Sequence, residues 1–265
     1  MPNDTVVYQV KNRIAWITLN RPEAMNAMNQ EMSGAIVSAC RSAEDDVTVG
    51  VVVFTGAGDK AFSSGMDLKE RAAGVSVSGI ERRQVKIGPE ANTTTKAVAA
   101  ITKPTIAAIN GYAVGGGLEL ALACDLRISA EDAKLGLAEV RRGIIPGAGG
   151  TQRLARVVGV AKALELCLSG HLVDGREALR IGLVHEAVAR EELAAASERL
   201  ADTLLKGAPL SLRFIKEAIR KGSELPLEEG LRLEADLSAL IATTEDAKEG
   251  PRAFAEKRPA VWKGK

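Results

Sequence analysis

The run Val49–Phe54 is apolar and rich in β-branched residues, and Thr55-Gly56-Ala57-Gly58 stops it. A strand with one wet face alternates apolar and polar side chains. A strand without that alternation must be covered on both faces. Thr105–Asn110 reads the same way and is again ended by glycine, while Ile14–Leu19 ends at Asn20-Arg21-Pro22. Shorter strand candidates are Leu126–Ser129, Lys134–Leu137 and Gly182–Val188. Helical patterns lie between them. The first runs from Asn26 to Glu44, with Met28, Met32, Ile36 and Val37 on one apolar stripe. Doubly covered strands separated by helices predict an α/β fold with mostly parallel pairing.

Beyond Val188 the pattern changes, and from Glu191 to Ala255 only helical periodicity is found, broken at Pro209 and Pro226. This shift predicts a domain boundary near residue 200, with an α/β core over 1–200 and a helical module over 201–265. The segment Ala72–Asn92 mixes Gly74, Gly79, Gly88 and Pro89 with a basic cluster, Arg82, Arg83 and Lys86. It predicts an irregular stretch with a short helix.

Composition removes several function classes. The net charge of +1 gives no general reason to expect nucleic acid or an anionic membrane as partner. No apolar run is long enough to span a bilayer. The first eight residues lack a basic flank followed by an apolar stretch, so the expectation is a cytoplasmic protein. Cys40, Cys124 and Cys167 are widely spaced and read as free thiols. His171 and His185 lie in no motif, and Gly-x-Ser-x-Gly, Cys-x-x-Cys and His-Glu-x-x-His are all missing. No metal site and no histidine-based nucleophile is expected. Carboxylates and backbone N–H groups are left to carry any chemistry.

Two glycine-bearing stretches suit that chemistry: Phe62-Ser63-Ser64-Gly65-Met66-Asp67-Leu68, and Asn110 to Glu119 with Gly115-Gly116-Gly117. A helix start carries N–H groups without internal partners and partial positive charge. Glycine lets another group approach that backbone closely. Two such N–H groups converging on one oxygen make an oxyanion hole. Tight turns alone would also explain the glycines. Glu119 lies in an otherwise apolar stretch, Leu118–Cys124, and Glu139 precedes the loop Ile144-Ile145-Pro146-Gly147-Ala148-Gly149-Gly150. Taken singly, each glutamate is equally an ion-pair partner or a helix-terminal carboxylate.

Taken together, these stretches resemble the crotonase (enoyl-CoA hydratase) superfamily. Gly115–Ala121 resembles its signature turn and helix, and Phe62–Glu70 its other oxyanion loop. Ile144–Leu154 (IIPGAGGTQRL) resembles the segment after its second catalytic glutamate. Leu19–Met28 (LNRPEAMNAM) and Phe254–Arg258 resemble its two terminal signatures. The resemblance implies a spiral of repeated ββα turns followed by a helical module that builds trimers or paired trimers. It implies hydration of a 2-enoyl-CoA, with Glu119 and Glu139 as the acid–base pair. The thioester oxygen would lie between the N–H groups of Met66 and Gly116, and Gly147 would shape the loop near Glu139 and the water. Arg21, Ala24 and Lys69 fall where relatives contact coenzyme A, as do Phe254 and Lys257, whose tail can reach a neighbouring subunit's ligand. Coenzyme A is part of the substrate, and no separate cofactor is implied. Met66–Arg71 and Gly117–Asp125 also resemble 3-methylglutaconyl-CoA hydratases, and a double-bond isomerase is a further member-type reading. RNA binding would want a basic helix, whereas the first helical stretch carries Glu31, Glu44, Asp45 and Asp46 beside Arg41.

Overall fold

The computed structural model describes residues 5–67 and 93–265. Two compact units are present, Met1–Ile101 with Thr105–Glu198, and Thr102–Pro104 with Arg199–Lys265. Lys69 and the segment 72–92, with Arg82, Arg83 and Lys86, lie outside the described residues.

In the first unit, β1 (Val6–Lys11) and β2 (Ile14–Leu19) form an antiparallel hairpin. Its two turn residues, Asn12 and Arg13, both have positive φ, the geometry that matches the twist of the flanking strands. A six-stranded sheet runs β1-β2-β3-β5-β7-β10. It comprises β3 (Val51–Gly56), β5 (Thr105–Ile109), β7 (Leu126–Ala130) and β10 (Glu186–Val188), parallel except at β1. A second sheet runs β4-β6-β8-β9, from β4 (Ala61–Ser63), β6 (Tyr112–Val114), β8 (Lys134–Gly136) and β9 (Val173–Asp174). Successive strands thus alternate between sheets: β3 then β4, β5 then β6, β7 then β8. Helical segments follow each pair: α2 (Thr93–Ala100), α3 (Gly116–Ala123), then α4 (Gly150–Val158) and α5 (Val160–Ser169). This is the expected spiral of ββα turns.

Burial explains the sequence pattern. Val51, Val52, Val53 and Phe54 are fully buried, as is every residue of β5. Burying such a side chain is worth about 1.5–3 kcal/mol, so the spiral's stability rests largely on these strands. Two expected elements are shorter than their apolar patterns. The first helix, α1 (Gln30–Asp45), starts later than Asn26. Met25 and Asn26 adopt left-handed φ of 52°, and Met28 bridges to Met66 in a parallel ladder. The Asn29 side chain then accepts from the Met32 N–H at 2.9 Å and caps the helix. Likewise β10 covers only Glu186–Val188 rather than Gly182–Val188. Gly182, at φ 75°, ends α6 (Gly175–Arg180), and Leu183 and Val184 hydrogen-bond back to Ala178.

Asn26 is fully buried and ties three strands' ends together. Its Oδ1 accepts from the Arg21 N–H at 2.9 Å, and its Nδ2 donates to the carbonyls of Ala57 and Ala61 at 3.0 and 2.7 Å. Asn26→Ala would strand these groups. We expect it to lower stability by about 3 kcal/mol, read as a denaturant midpoint shift at unchanged slope.

The second unit is helical. α7 (Leu193–Leu205) leads into α8 (Pro209–Gly222), α9 (Leu227–Ala242) and α10 (Glu245–Ala255). Pro209 occupies the first turn of α8 and Pro226 the cap of α9, positions where a missing N–H removes no helical bond. After α10 the chain folds back on it. Asp246 accepts the N–H groups of Lys263 and Gly264, and Glu249 accepts from Arg258, Arg252 and the Val261 N–H. The Arg258 guanidinium holds the Glu249 carboxyl well below its ordinary range. Ile215, Ile219, Leu227, Leu231 and Leu240 are exposed. Among the described residues no helix is long and apolar enough to cross a membrane.

Candidate active site

The site is built where successive turns of the spiral meet. β6 delivers the chain to Gly115, whose φ of 57° and ψ of −125° fit glycine and little else. The Gly115 N–H donates to the Gly136 carbonyl at 3.0 Å, tying the end of β6 to the end of β8. α3 then starts at Gly116, and its first-turn N–H groups precede the helix's internal bonds. Glu119 lies in this first turn, 3% exposed. After β8, a short 3-10 helix, Glu139–Arg142, carries Glu139.

The two glutamates come together although twenty residues separate them. Each carboxylate is moulded by a glycine of the other's neighbourhood. A Cβ on Gly115 would stand 3.1 Å from Glu139 Oε1, and one on Gly150 would stand 2.9 Å from Glu119 Oε1. The electrostatics agree. Burial pushes the Glu139 carboxyl above its ordinary range, and the Glu119 charge adds to that rise. Both carboxylates also raise the half-buried Cys167 thiol, after burial itself.

The environments differ. Glu119 Oε1 accepts two backbone N–H bonds, from Ala148 at 2.6 Å and Gly150 at 2.8 Å. A proton on that oxygen would face two donors, so Oε1 is committed as an acceptor. Glu139 Oε2 is buried with no hydrogen-bond partner among the described residues. Buried polar atoms are almost always paired, so this unpartnered oxygen makes Glu139 a candidate functional position. One oxygen of Glu119 is thus held as an acceptor, while burial raises the Glu139 carboxyl.

Met66 and Gly116 are also brought together. A Cβ on Gly65 would stand 2.9 Å from the Gly116 N, and one on Gly116 would stand 3.4 Å from the Met66 N. Met28 donates to the Gly65 carbonyl at 2.7 Å and accepts from the Asp67 N–H at 3.0 Å. In a parallel bridge the residue between those two bonds turns its own N–H to the other side, so the Met66 N–H points away from Met28. The Met66 side chain is 55% exposed.

The remaining expected residues fare unevenly. Ala24 ends a short 3-10 helix, Pro22–Ala24, and is half-buried. Arg21 Nη1 donates to the Ala27 carbonyl and to Asp67. Phe254 and Lys257 belong to the second unit, where Phe254 is exposed and Lys257 has a φ of 52°. At Gly147 a Cβ would meet, among the described residues, only the Ile145 carbonyl at 3.9 Å, so their packing does not demand glycine there. The demand falls on Gly149, at φ 102°, and on Gly150. Sequence reasoning missed these two, and Gly115 as the wall behind Glu139. It also missed the clamp on Ala148, whose carbonyl accepts from Thr95 Oγ1 at 3.0 Å and Arg153 Nη1 at 2.9 Å. The only signal was an Arg one helical turn past Gly149.

One constellation mimics a nucleophile site. Ser169 Oγ lies 2.6 Å from His171 Nδ1, and His171 Nε2 lies 3.9 Å from Glu165. The Ser169 hydroxyl, however, donates to the Glu165 carbonyl at 2.6 Å. Its proton is engaged at a helix end, and the group reads as a cap.

A family model described as enoyl-CoA hydratase/isomerase matches residues 9–265. The Bacillus subtilis protein YngF, whose name places it with the enoyl-CoA hydratases/isomerases, is 44% identical over 268 residues, covering 98% of this chain and 99% of its own. A crotonyl-CoA hydratase of Syntrophomonas wolfei is 39% identical over 260 residues, covering 98% of each chain. The crystal structure of an enoyl-CoA hydratase from Bacillus anthracis superposes with a TM-score of 0.91 at 38% identity, covering 98% of this chain and 100% of that one. With two buried glutamates on a ββα spiral, the chain belongs to the enoyl-CoA hydratase/isomerase family.

Proposed function

We propose that this enzyme adds water across the C2–C3 double bond of a 2-enoyl-CoA to give a 3-hydroxyacyl-CoA. The observation that carries the reading is the pair of buried glutamates in unlike settings. In the proposed step Glu119 takes a proton from the water and the hydroxyl oxygen bonds to C3. The C2–C3 π pair moves toward C1, and negative charge collects on the thioester oxygen. The N–H groups of Met66 and Gly116 would hold that oxygen. Losing one such donor costs about a hundred- to a thousandfold in rate. Glu139 then delivers its proton to C2. One proton has entered Glu119 and one has left Glu139, so transfer between the two resets the pair.

Coenzyme A would extend past Ala24 and Lys69, and Phe254 and Lys257 would meet the ligand of a neighbouring subunit. The exposed apolar residues of α8 and α9 support a self-associating helical module, as a trimer or a pair of trimers. The proposed chemistry needs no cofactor beyond the substrate's own coenzyme A. A panel of short, long, branched and carboxylated 2-enoyl-CoAs, followed by loss of enoyl absorbance, tests the activity. No loss with any member would sink it. Product analysis in ¹⁸O-labelled water separates hydration from double-bond migration, which leaves the label in the solvent.

The raised Glu139 carboxyl has a consequence for stability. A carboxyl whose folded value lies above its unfolded value destabilises the fold as pH rises between the two, and the full penalty persists above. Glu139→Gln removes the titration. We expect the variant's melting temperature to exceed the wild type's at pH 8, with the gap closing as pH falls from the raised folded value toward the ordinary carboxylate value. A gap independent of pH would contradict this.

A further inference from the structure

Arg21 heads a chain of peptide groups that ends on the Met66 N–H. Its Nη1 donates to the Ala27 carbonyl at 2.6 Å. The N–H of that same peptide unit belongs to Met28, and it donates to the Gly65 carbonyl at 2.7 Å. The N–H of the next unit, joining Gly65 to Met66, is the Met66 N–H itself. Two peptide planes therefore link the guanidinium to one donor of the oxyanion hole. Asp67 fixes the start of the chain. Its Oδ2 accepts from the same Nη1 at 3.0 Å, and its own N–H donates to the Met28 carbonyl at 3.0 Å. The Arg21 and Asp67 side chains keep only 20% and 13% of their exposure, so solvent screens this arrangement weakly.

We propose that Arg21 is a positioning residue of the oxyanion hole, fixing and polarising the Met66 N–H through the 27–28 and 65–66 peptide units. A charge-assisted bond to a peptide oxygen draws electron density toward that oxygen and makes the unit's N–H a stronger donor. The next unit receives that stronger donor and responds in the same sense. Cooperative strengthening of ~10–30% per bond leaves a usable effect after two steps. The same bonds fix the tilt of the Gly65–Met66 plane, and geometry matters most where charge develops in the transition state. The proposal rests on the reading of Met66 and Gly116 as oxyanion donors. It gives Arg21 a task different from direct contact with the coenzyme A nucleotide.

Two measurements on the full-length enzyme separate these tasks. The first is steady-state kinetics of Arg21→Gln and Arg21→Lys on a 2-enoyl-CoA and on the same acyl group carried by pantetheine, which lacks the nucleotide. We expect Arg21→Gln to lower kcat roughly tenfold on both thioesters, with KM changed by less than about twofold. Arg21→Lys, which keeps a cation near the Ala27 carbonyl, should recover part of the loss. A loss confined to KM and to the coenzyme A thioester would overturn the proposal in favour of nucleotide binding. The second measurement is the infrared carbonyl stretch of a bound, ¹³C-labelled saturated acyl-CoA, which has no double bond to hydrate. The stretch should fall on binding to the wild type, and part of that fall should vanish in Arg21→Gln. An equal fall in both proteins overturns the proposal and leaves the oxyanion hole standing. No fall in the wild type removes the oxyanion hole and the proposal with it. Should Arg21→Gln fail to fold, Arg21→Lys takes its place in both measurements, where an unchanged kcat and an unchanged fall overturn the proposal.

Discussion

Glu119→Gln and Glu139→Gln are each expected to lower turnover by about a hundred- to ten-thousandfold, with acyl-CoA binding largely retained. Glutamine keeps the shape of glutamate, so the packing against Gly115 and Gly150 survives. At position 119 the amide oxygen can still accept the N–H groups of Ala148 and Gly150, so the loop stays in place while basicity is lost. At position 139 the amide has no acidic proton to give to C2. In the proposed mechanism both residues serve one water and one enolate, so the double variant should lose far less than the product of the single losses. Enoyl absorbance gives the rates, and competition by a saturated acyl-CoA gives binding. Near-normal turnover in either single variant would remove that residue from the mechanism, and fully multiplicative losses would show that the two act independently.

The pH profile of the wild type should carry the same signature. Glu139 must be protonated to deliver its proton, and burial holds its carboxyl above the ordinary range. Activity should therefore decline on the alkaline side as that proton is lost. In Glu139→Gln the residual activity should lack this limb. The limb belongs to the coupled pair, because the Glu119 charge contributes to the rise.

The sequence was most informative where burial leaves a compositional mark. β3 and β5 are readable because a strand covered on both faces cannot hide its β-branched run. The helical tail was readable because prolines at the starts of α8 and α9 punctuate it. β4, β6 and β9 span three residues or fewer, too short for any periodicity, and they exist because neighbouring turns of the spiral supply partners. Glu119 was visible as a lone carboxylate in an apolar helix. The contacts that give it meaning were not, because Ala148 and Gly150 lie about thirty residues on and only the spiral brings them back. The three glycines at 147, 149 and 150 look alike in sequence; the fold distinguishes them, leaving room for a Cβ at Gly147 among the described residues and pressing Gly150 onto Glu119. Asn26 read as helix because its neighbours are helix formers, yet its side chain binds two carbonyls that only the fold provides.

Gly117→Ala should be a strongly damaging addition of a single methyl group. Alanine at this helical position would ordinarily gain up to about 1 kcal/mol in helix propensity. Here the new Cβ would stand 2.0 Å from the Ser63 carbonyl oxygen, 2.8 Å from its carbon and 3.0 Å from the Ser63 Cβ. Two of those three atoms are backbone, so no rotamer change relieves the clash. Helix α3 and strand β4 must separate by roughly 1.5 Å before carbon and oxygen reach ordinary contact. Ser63 is already committed, its Oγ bonding the Asn26 carbonyl at 2.8 Å and accepting from the Gly65 N–H at 3.1 Å. Moving β4 therefore pulls on the Asn26 turn and on Gly65 together, while moving α3 carries Gly116 away from Met66. We expect a stability loss of about 3 kcal/mol or more, a fall in melting temperature of roughly 6–12 °C for a chain of this size. Any folded fraction should turn over poorly, because the same displacement parts the two N–H groups proposed to hold the thioester oxygen. Gly147→Ala supplies the control for stability, since among the described residues its added carbon meets one atom, at 3.9 Å. A Gly117→Ala protein that melts and turns over like the wild type would mean that α3 and β4 can separate freely. The close approach of Gly65, Gly116 and Gly117 would then not be what sets the width of the oxyanion hole.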